Sequence, residues 1–214
     1  MDIFKTLGAL ALNAGIAGME AYVLSHVANK KDILKYYTYL SNLIALLSSA
    51  VFVVFTCLNL LSGDPAPIWL KGIRFTATYM LVTTLFVFSF VLLPWDKSGN
   101  TMRKSDFSGD FSPKTANLLL HYLCPLISAF SFLLLERQPV LADSQWTFYG
   151  AIPTIIYWIV YLILTAANLW KDPYGLSDTK SESKSASGAL LGLLIPMMSM
   201  GLDYLLWWLN TLTF

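Results

Sequence analysis

Charged residues are scarce in this chain of 214 residues: they make up 13%, where a soluble domain carries about 25%. A balance of one sign is missing too, since 14 Lys and Arg stand against 13 Asp and Glu for a net +1. There is no basic excess to hold phosphates, which excludes a nucleic-acid binder. Only two cysteines occur, Cys57 and Cys124, each inside an apolar run. Neither a disulfide framework nor a zinc cluster follows from them. No internal repeat is present, so an inverted-repeat transporter is not suggested, and no cofactor or metal motif appears. What the chain has in quantity is apolar mass, 56% of residues with a mean hydropathy of +0.59. That excludes a soluble or disordered protein.

A helix that crosses a bilayer needs about 20 mostly apolar residues. Six stretches qualify: Leu7–Val27, Tyr36–Leu61, Ile68–Leu93, Thr115–Leu135, Trp146–Trp170 and Gly188–Leu212. The expected fold is therefore all-α, one membrane domain of six transmembrane helices over 1–214, with connections too short for a soluble domain. Lys5 alone precedes the first apolar run, and no small-residue cleavage site follows it. The first stretch thus reads as a retained helix rather than a signal peptide. Breaks are expected at Gly63-Asp64-Pro65-Ala66-Pro67 and at Pro94-Trp95, with polar loops over Asp96–Lys114 and Asp172–Ser187. Trp69, Trp95, Trp146, Trp170, Trp207 and Trp208 lie near span ends, where tryptophan prefers the interface.

The Lys and Arg distribution gives an orientation. Lys5, Lys71, Arg74 and Arg137 fall on one side of the six-span scheme. Lys30, Lys31, Lys35, Lys97, Arg103, Lys104, Lys114, Lys171, Lys180 and Lys184 fall on the other. Positive loops tend to stay in the cytoplasm, so both termini are expected outside, in a multi-pass protein of a cell membrane.

Polar groups inside spans are expensive and mark function. Glu20 and His26 lie in the first span, Thr38, Ser41 and Asn42 in the second and Arg74 in the third. Asn117, His121 and Cys124 lie in the fourth, Asn168 in the fifth and Asp203 in the sixth. Thr38 and His121 both fall within the first turns of helices that start on the cytoplasmic side, and His26 and Asn168 reach the same level. Thr38 with Asn42, and Asn117 with His121, are i, i+4 pairs that share a helix face. A threonine hydroxyl becomes a nucleophile only beside a base, and histidine is one. An amide can donate to a developing oxyanion, which suits Asn42, while Asn117 could hold the imidazole in one tautomer. Against this, a threonine near a helix start often caps it or bonds to its own carbonyls, and an asparagine often ties helices together. Cys124, three residues from His121, is a conceivable nucleophile but equally a small apolar filler. Arg74 and Asp203 enter from the same outer side and form an expected structural ion pair. Tyr157 and Tyr161 could line a lipid-chain groove, with packing as the other use.

Two segments, Tyr36-Tyr37-Thr38-Tyr39-Leu40-Ser41-Asn42-Leu43 and Asn117-Leu118-Leu119-Leu120-His121-Tyr122-Leu123-Cys124-Pro125-Leu126, resemble signature segments of one family. Gly72-Ile73-Arg74-Phe75-Thr76-Ala77-Thr78 and Trp170-Lys171-Asp172-Pro173-Tyr174 are similar to its bacterial branch. It is the androgen-induced, androgen-dependent-regulator family of six-helix membrane proteins. The resemblance implies hydrolysis of fatty acid esters of hydroxy fatty acids by an intramembrane threonine and histidine, here Thr38 and His121. It implies a lipid or fatty-acid ester as substrate and, together with the short loops, favours a bacterial plasma membrane. The lipid bilayer follows from the spans, and no cofactor is expected because no motif for one appears. Two further readings stay open: a small transporter or proton-conducting protein using Glu20, His26 and Asp203, and a non-catalytic lipid-binding membrane protein.

Overall fold

A computed structural model describes residues 3–63, 66–95, 102–136, 143–170 and 182–212, with side chains over 3–63, 66–94, 102–136, 143–170 and 194–212. Parts of the expected 63–67 break, the 96–114 loop and the 172–187 loop lie outside these residues, as do Arg137 and the motif that follows Trp170.

Every long element is a helix. In chain order they are α1 (Ile3–Ser25), the short α2 (Asp32–Lys35), α3 (Tyr37–Ser62), α4 (Ile68–Leu92), α5 (Pro113–Leu135), α6 (Gln145–Ala166) and α7 (Glu182–Leu212). Among the described residues, α1, α3, α4, α5 and α6 are long and apolar enough to cross a membrane. Helix α7 starts at Glu182, several residues before the expected Gly188, so the end of the expected Ser/Lys-rich connection is already helical.

The ends of these helices have local causes. Gly63 closes α3 in the left-handed region, φ 80°, with its N–H on the Asn59 carbonyl, the usual glycine stop. Pro113 opens α5 in its first turn, where a missing N–H costs nothing. Helix α1 stops at Ser25, two residues before the expected Val27, because the next residues pair with the 102–112 loop. Ala28 N–H donates to the Asp106 carbonyl at 2.9 Å and Ser108 N–H to the His26 carbonyl at 2.7 Å. Helix α6 stops at Ala166 instead of Trp170, because Asn168 takes a left-handed φ of 54° and turns the chain.

Helix α1 packs along α3, α3 against α4, and α4 against both α5 and α6, while α7 closes on α6 and α4. Helix α4 is the central element: Leu70, Phe75, Ala77, Tyr79, Met80 and Leu81 have no exposed surface. The outward faces are apolar, with Leu58, Phe90, Phe130, Ile163 and Met197 exposed. Glu20, Asn13, Asn42 and Arg74 are fully buried instead. Polar inside and apolar outside is the arrangement that a hydrocarbon solvent selects.

The buried charges are paired differently from expectation. Arg74 does not meet Asp203; it forms a two-pronged pair with Glu136 at the end of α5, Nη2 to Oε1 at 2.7 Å and Nε to Oε2 at 3.1 Å. Both side chains are fully buried. Asn13, from α1, donates to the same Glu136 oxygen at 3.0 Å, and Ser131 does so at 2.9 Å. A planar guanidinium suits a carboxylate in just this two-point manner. The Asp203 carboxylate lies beside Phe75 and Gly150, where α4, α6 and α7 meet.

Candidate functional site

The site sits at the end of the bundle where α1 stops and α3 begins. Thr38, in the first turn of α3, is half-buried, and its Oγ1 lies 3.2 Å from His121 Nε2 on α5. Two side chains 83 residues apart thus meet at hydrogen-bond distance. The imidazole is 2% exposed. Its other face is covered by Phe88 of α4, with ring centroids 3.9 Å apart and planes inclined by 19°. Thr38 and Phe88 both line a cleft, so the imidazole stands directly behind its wall.

The local backbone explains how the histidine gets there. Residues Leu119–Leu123 form a π turn, and Phe88–Leu92 form another on the neighbouring helix. Such turns bond i to i+5 and recur at functional sites. Within the α5 turn, Cys124 N–H reaches back to the Leu119 carbonyl. The next residue, Pro125, has no N–H to return to Leu120. Asn42 Nδ2 approaches that Leu120 carbonyl at 3.5 Å and donates to the Thr38 carbonyl at 2.7 Å.

Asn42 therefore does not aim its donors at the cleft. Both amide hydrogens point at main-chain carbonyls, and its fully buried Oδ1 accepts no hydrogen bond. Its position ties the first turn of α3 to the π turn that carries His121, which is a positioning role. Beside the imidazole, the backbone acceptor is the Asn117 main-chain carbonyl, and Nδ1 itself has no hydrogen bond of standard geometry. For Nε2 to accept from Thr38, the ring must carry its hydrogen on Nδ1, the tautomer that a carbonyl at that nitrogen favours.

The remaining expected residues divide. Ser41 belongs to the site's frame: its Oγ lies 2.8 Å from Thr84 Oγ1 and donates to the Thr38 carbonyl at 3.0 Å, so α3 and α4 are joined below the threonine. His26 does not enter the cleft. Its Nδ1 lies 2.8 Å from the Tyr22 carbonyl and its ring stacks on Phe111 at 4.8 Å, so it belongs to the junction of α1 with the 102–112 loop. Asn168 is exposed and serves as the turn after α6. Cys124 is fully buried, which suits a filler better than a nucleophile. Tyr157 and Tyr161 are core residues, stacked at 6.3 Å.

The cleft has an empty volume of about 410 Å³, mouth included. Tyr37 and Thr38 of α3, Thr83, Thr84, Val87, Phe88 and Leu92 of α4, Trp158 of α6 and Ile195 of α7 form its walls. Tyr37 is fixed by a 2.8 Å hydrogen bond between its hydroxyl and Thr154 Oγ1. The walls are mostly apolar, and three threonine hydroxyls stand among them. Thr83, Thr84 and Phe88 were not singled out from sequence, because threonines and an aromatic within an apolar run read as packing. The doublet Thr83-Thr84 one turn before Phe88 is the signal that carries them.

Chemically, the arrangement offers a hydroxyl paired to an imidazole at the wall of an apolar cleft. No group of three or more His, Cys, Asp or Glu able to hold a metal ion occurs among the described residues. Comparison with family models, curated proteins and solved structures gives no match.

Proposed function

We propose that this chain is a multi-pass membrane ester hydrolase that cleaves an acyl ester of a lipid, with Thr38 as nucleophile and His121 as general base. The observation that carries the reading is the 3.2 Å contact between Thr38 Oγ1 and His121 Nε2 at the wall of a largely apolar cleft. A hydroxyl within about 2.6–3.2 Å of a base meets the geometric requirement for proton abstraction. The resemblance of the two segments that hold these residues to the androgen-induced family supports the same reading, and with it an ester of a hydroxy fatty acid as substrate class.

In the first step Thr38 Oγ attacks the ester carbonyl carbon, its proton passes to His121 Nε2, and the carbonyl electrons move to oxygen. Collapse expels the alcohol oxygen, which takes the proton from Nε2, and leaves an acyl-threonine. Water then attacks the acyl carbon, giving its proton to Nε2. The second collapse releases the fatty acid and returns that proton to Thr38. Splitting one hard displacement into two is the gain of covalent catalysis. An apolar cleft contributes by holding the acyl chain and limiting the water beside the hydroxyl–imidazole pair.

We place α7 as the sixth span and the Thr38 end of the bundle on the cytoplasmic side of a plasma membrane. Lys30, Lys31, Lys35, Arg103 and Lys104 cluster at that end, as the positive-inside tendency requires. The transporter reading rests on one observation, that both Glu20 oxygens and Asp203 Oδ1 are buried without a hydrogen bond. The relay it needs has its members against different neighbours. Glu20 lies within charge range of Arg74, Asp203 beside Phe75 and Gly150, and His26 against Phe111. It ranks second for that reason.

The test is turnover of p-nitrophenyl octanoate by the purified full chain in detergent. Hydrolysis is expected in the wild type, with loss of at least about a thousandfold in Thr38→Ala and in His121→Ala, in line with nucleophile and base removal elsewhere. Equal turnover in wild type and Thr38→Ala contradicts the proposal.

A further inference from the structure

A threonine attack on an ester creates negative charge on the carbonyl oxygen, and the site must aim a donor at it. The donors expected from sequence are engaged elsewhere, because Asn42 gives both amide hydrogens to the Thr38 and Leu120 carbonyls. The hydroxyls around the cleft are committed in turn. Thr84 donates to the Met80 carbonyl at 3.0 Å and lies against Ser41. Ser41 donates to the Thr38 carbonyl, and the Tyr37 hydroxyl is shared with Thr154.

Thr83 is the exception. Its side chain is 1% exposed, and it lines the same cleft as Thr38. The Tyr79 hydroxyl is near its Oγ1, yet neither oxygen makes a hydrogen bond of standard geometry. A threonine inside a helix ordinarily returns its hydroxyl to the carbonyl four residues back, as Thr84 does. Thr83 forgoes that bond. Leaving a buried hydroxyl unsatisfied is costly, most of all where no water competes. A buried O–H in the wall of an apolar cleft, with the Tyr79 hydroxyl near it but no bond of standard geometry, is a donor that an incoming acceptor can take, which is what oxyanion stabilisation demands.

We infer that the Thr83 hydroxyl donates the hydrogen bond that stabilises the oxyanion formed when Thr38 attacks a lipid ester in this cleft. The inference rests on the Thr38–His121 reading and adds a third functional group to it, from a third helix. Thr38 supplies the nucleophile from α3, His121 the base from α5 and Thr83 the donor from α4. The acceptor it recognises is an ester carbonyl oxygen, and no proton leaves Thr83 during the reaction.

The experiment compares wild type, Thr38→Ala, Thr83→Val and Thr83→Ser on p-nitrophenyl octanoate, measuring kcat and KM on monodisperse protein in detergent. Valine keeps the shape and removes the donor, while serine keeps the donor. A single oxyanion donor is worth about 10²–10³ in kcat. Thr83→Val is expected to lose about a hundredfold in kcat with little change in KM, and Thr83→Ser to retain most of the wild-type kcat. Wild-type kcat in Thr83→Val, on an enzyme that needs Thr38, overturns this inference alone. An equal loss in valine and serine variants overturns it too, since the hydroxyl would then not be the cause. Absence of wild-type turnover, or full turnover by Thr38→Ala, overturns the dyad and the inference together.

Discussion

Thr83 and Thr84 are adjacent, chemically identical side chains in opposite states. One hydroxyl is bonded to its own helix and to α3, and the other makes no hydrogen bond of standard geometry. Sequence cannot separate such neighbours, because both line the cleft and the difference lies in which hydroxyl finds partners on its own helix and on α3. Thr38 and His121 were legible as a candidate pair, since equal depth in two helices, their residue types and the family resemblance of the segments around them all single them out. Phe88 was not, and it has a stated job. Its ring lies 3.9 Å from the imidazole centroid and nearly parallel to it, so it fixes the ring plane. In the proposed mechanism it would also offer its π face to the imidazolium formed when Nε2 takes the Thr38 proton. A desolvated cation–π contact is worth about 0.5–2 kcal/mol. Phe88→Leu is therefore expected to lower kcat between roughly two- and thirtyfold, with KM little changed and Phe88→Trp close to wild type. A KM increase at constant kcat would instead make Phe88 a wall of the binding cleft and nothing more.

At the scale of the element, α5 departs most from the regular helix assumed in a sequence reading. It holds two π turns, Leu119–Leu123 and Ser131–Leu135. Each shifts the register of the residues after it, so i, i+4 spacing does not hold across residue 119. The spacing placed the Asn117 side chain as the imidazole's partner, whereas a main-chain carbonyl stands beside the ring. The second π turn ends at Glu136, whose N–H bonds to the Ser131 carbonyl at 3.0 Å. Glu136 lies just past the apolar run that ends at Leu135, so hydropathy does not single it out, yet it is the partner of Arg74 and joins α4, α5 and α1. Taking one member of a buried ion pair away costs about 3–5 kcal/mol, far more than replacing both by apolar residues. Glu136→Leu is expected to destabilise by that amount, and the double variant Arg74→Met, Glu136→Leu by clearly less, as followed by thermal unfolding in detergent. A double variant destabilised by the sum of the Arg74→Met and Glu136→Leu single effects would mean the pair is not coupled.

For the whole molecule, hydropathy alone made the all-helical, membrane-type bundle legible, because five of the long helices among the described residues are apolar runs long enough to span. What hydropathy could not reach is which polar groups find each other inside, since that depends on helix rotation. Orientation is a property of the whole chain as well. On a background without Cys57 and Cys124, Ser108→Cys is expected to stay protected from an impermeant thiol reagent added outside intact cells. Labelling from outside would reverse the assignment. The central claim is that one threonine among the many hydroxyls of this bundle is a nucleophile, and covalent capture tests it most directly. Treatment of the purified protein with a fluorophosphonate, followed by peptide mapping, is predicted to place the phosphonyl group on Thr38 and to leave Thr38→Ala and His121→Ala unlabelled. Modification at another residue, or unchanged labelling of Thr38→Ala, would contradict the account.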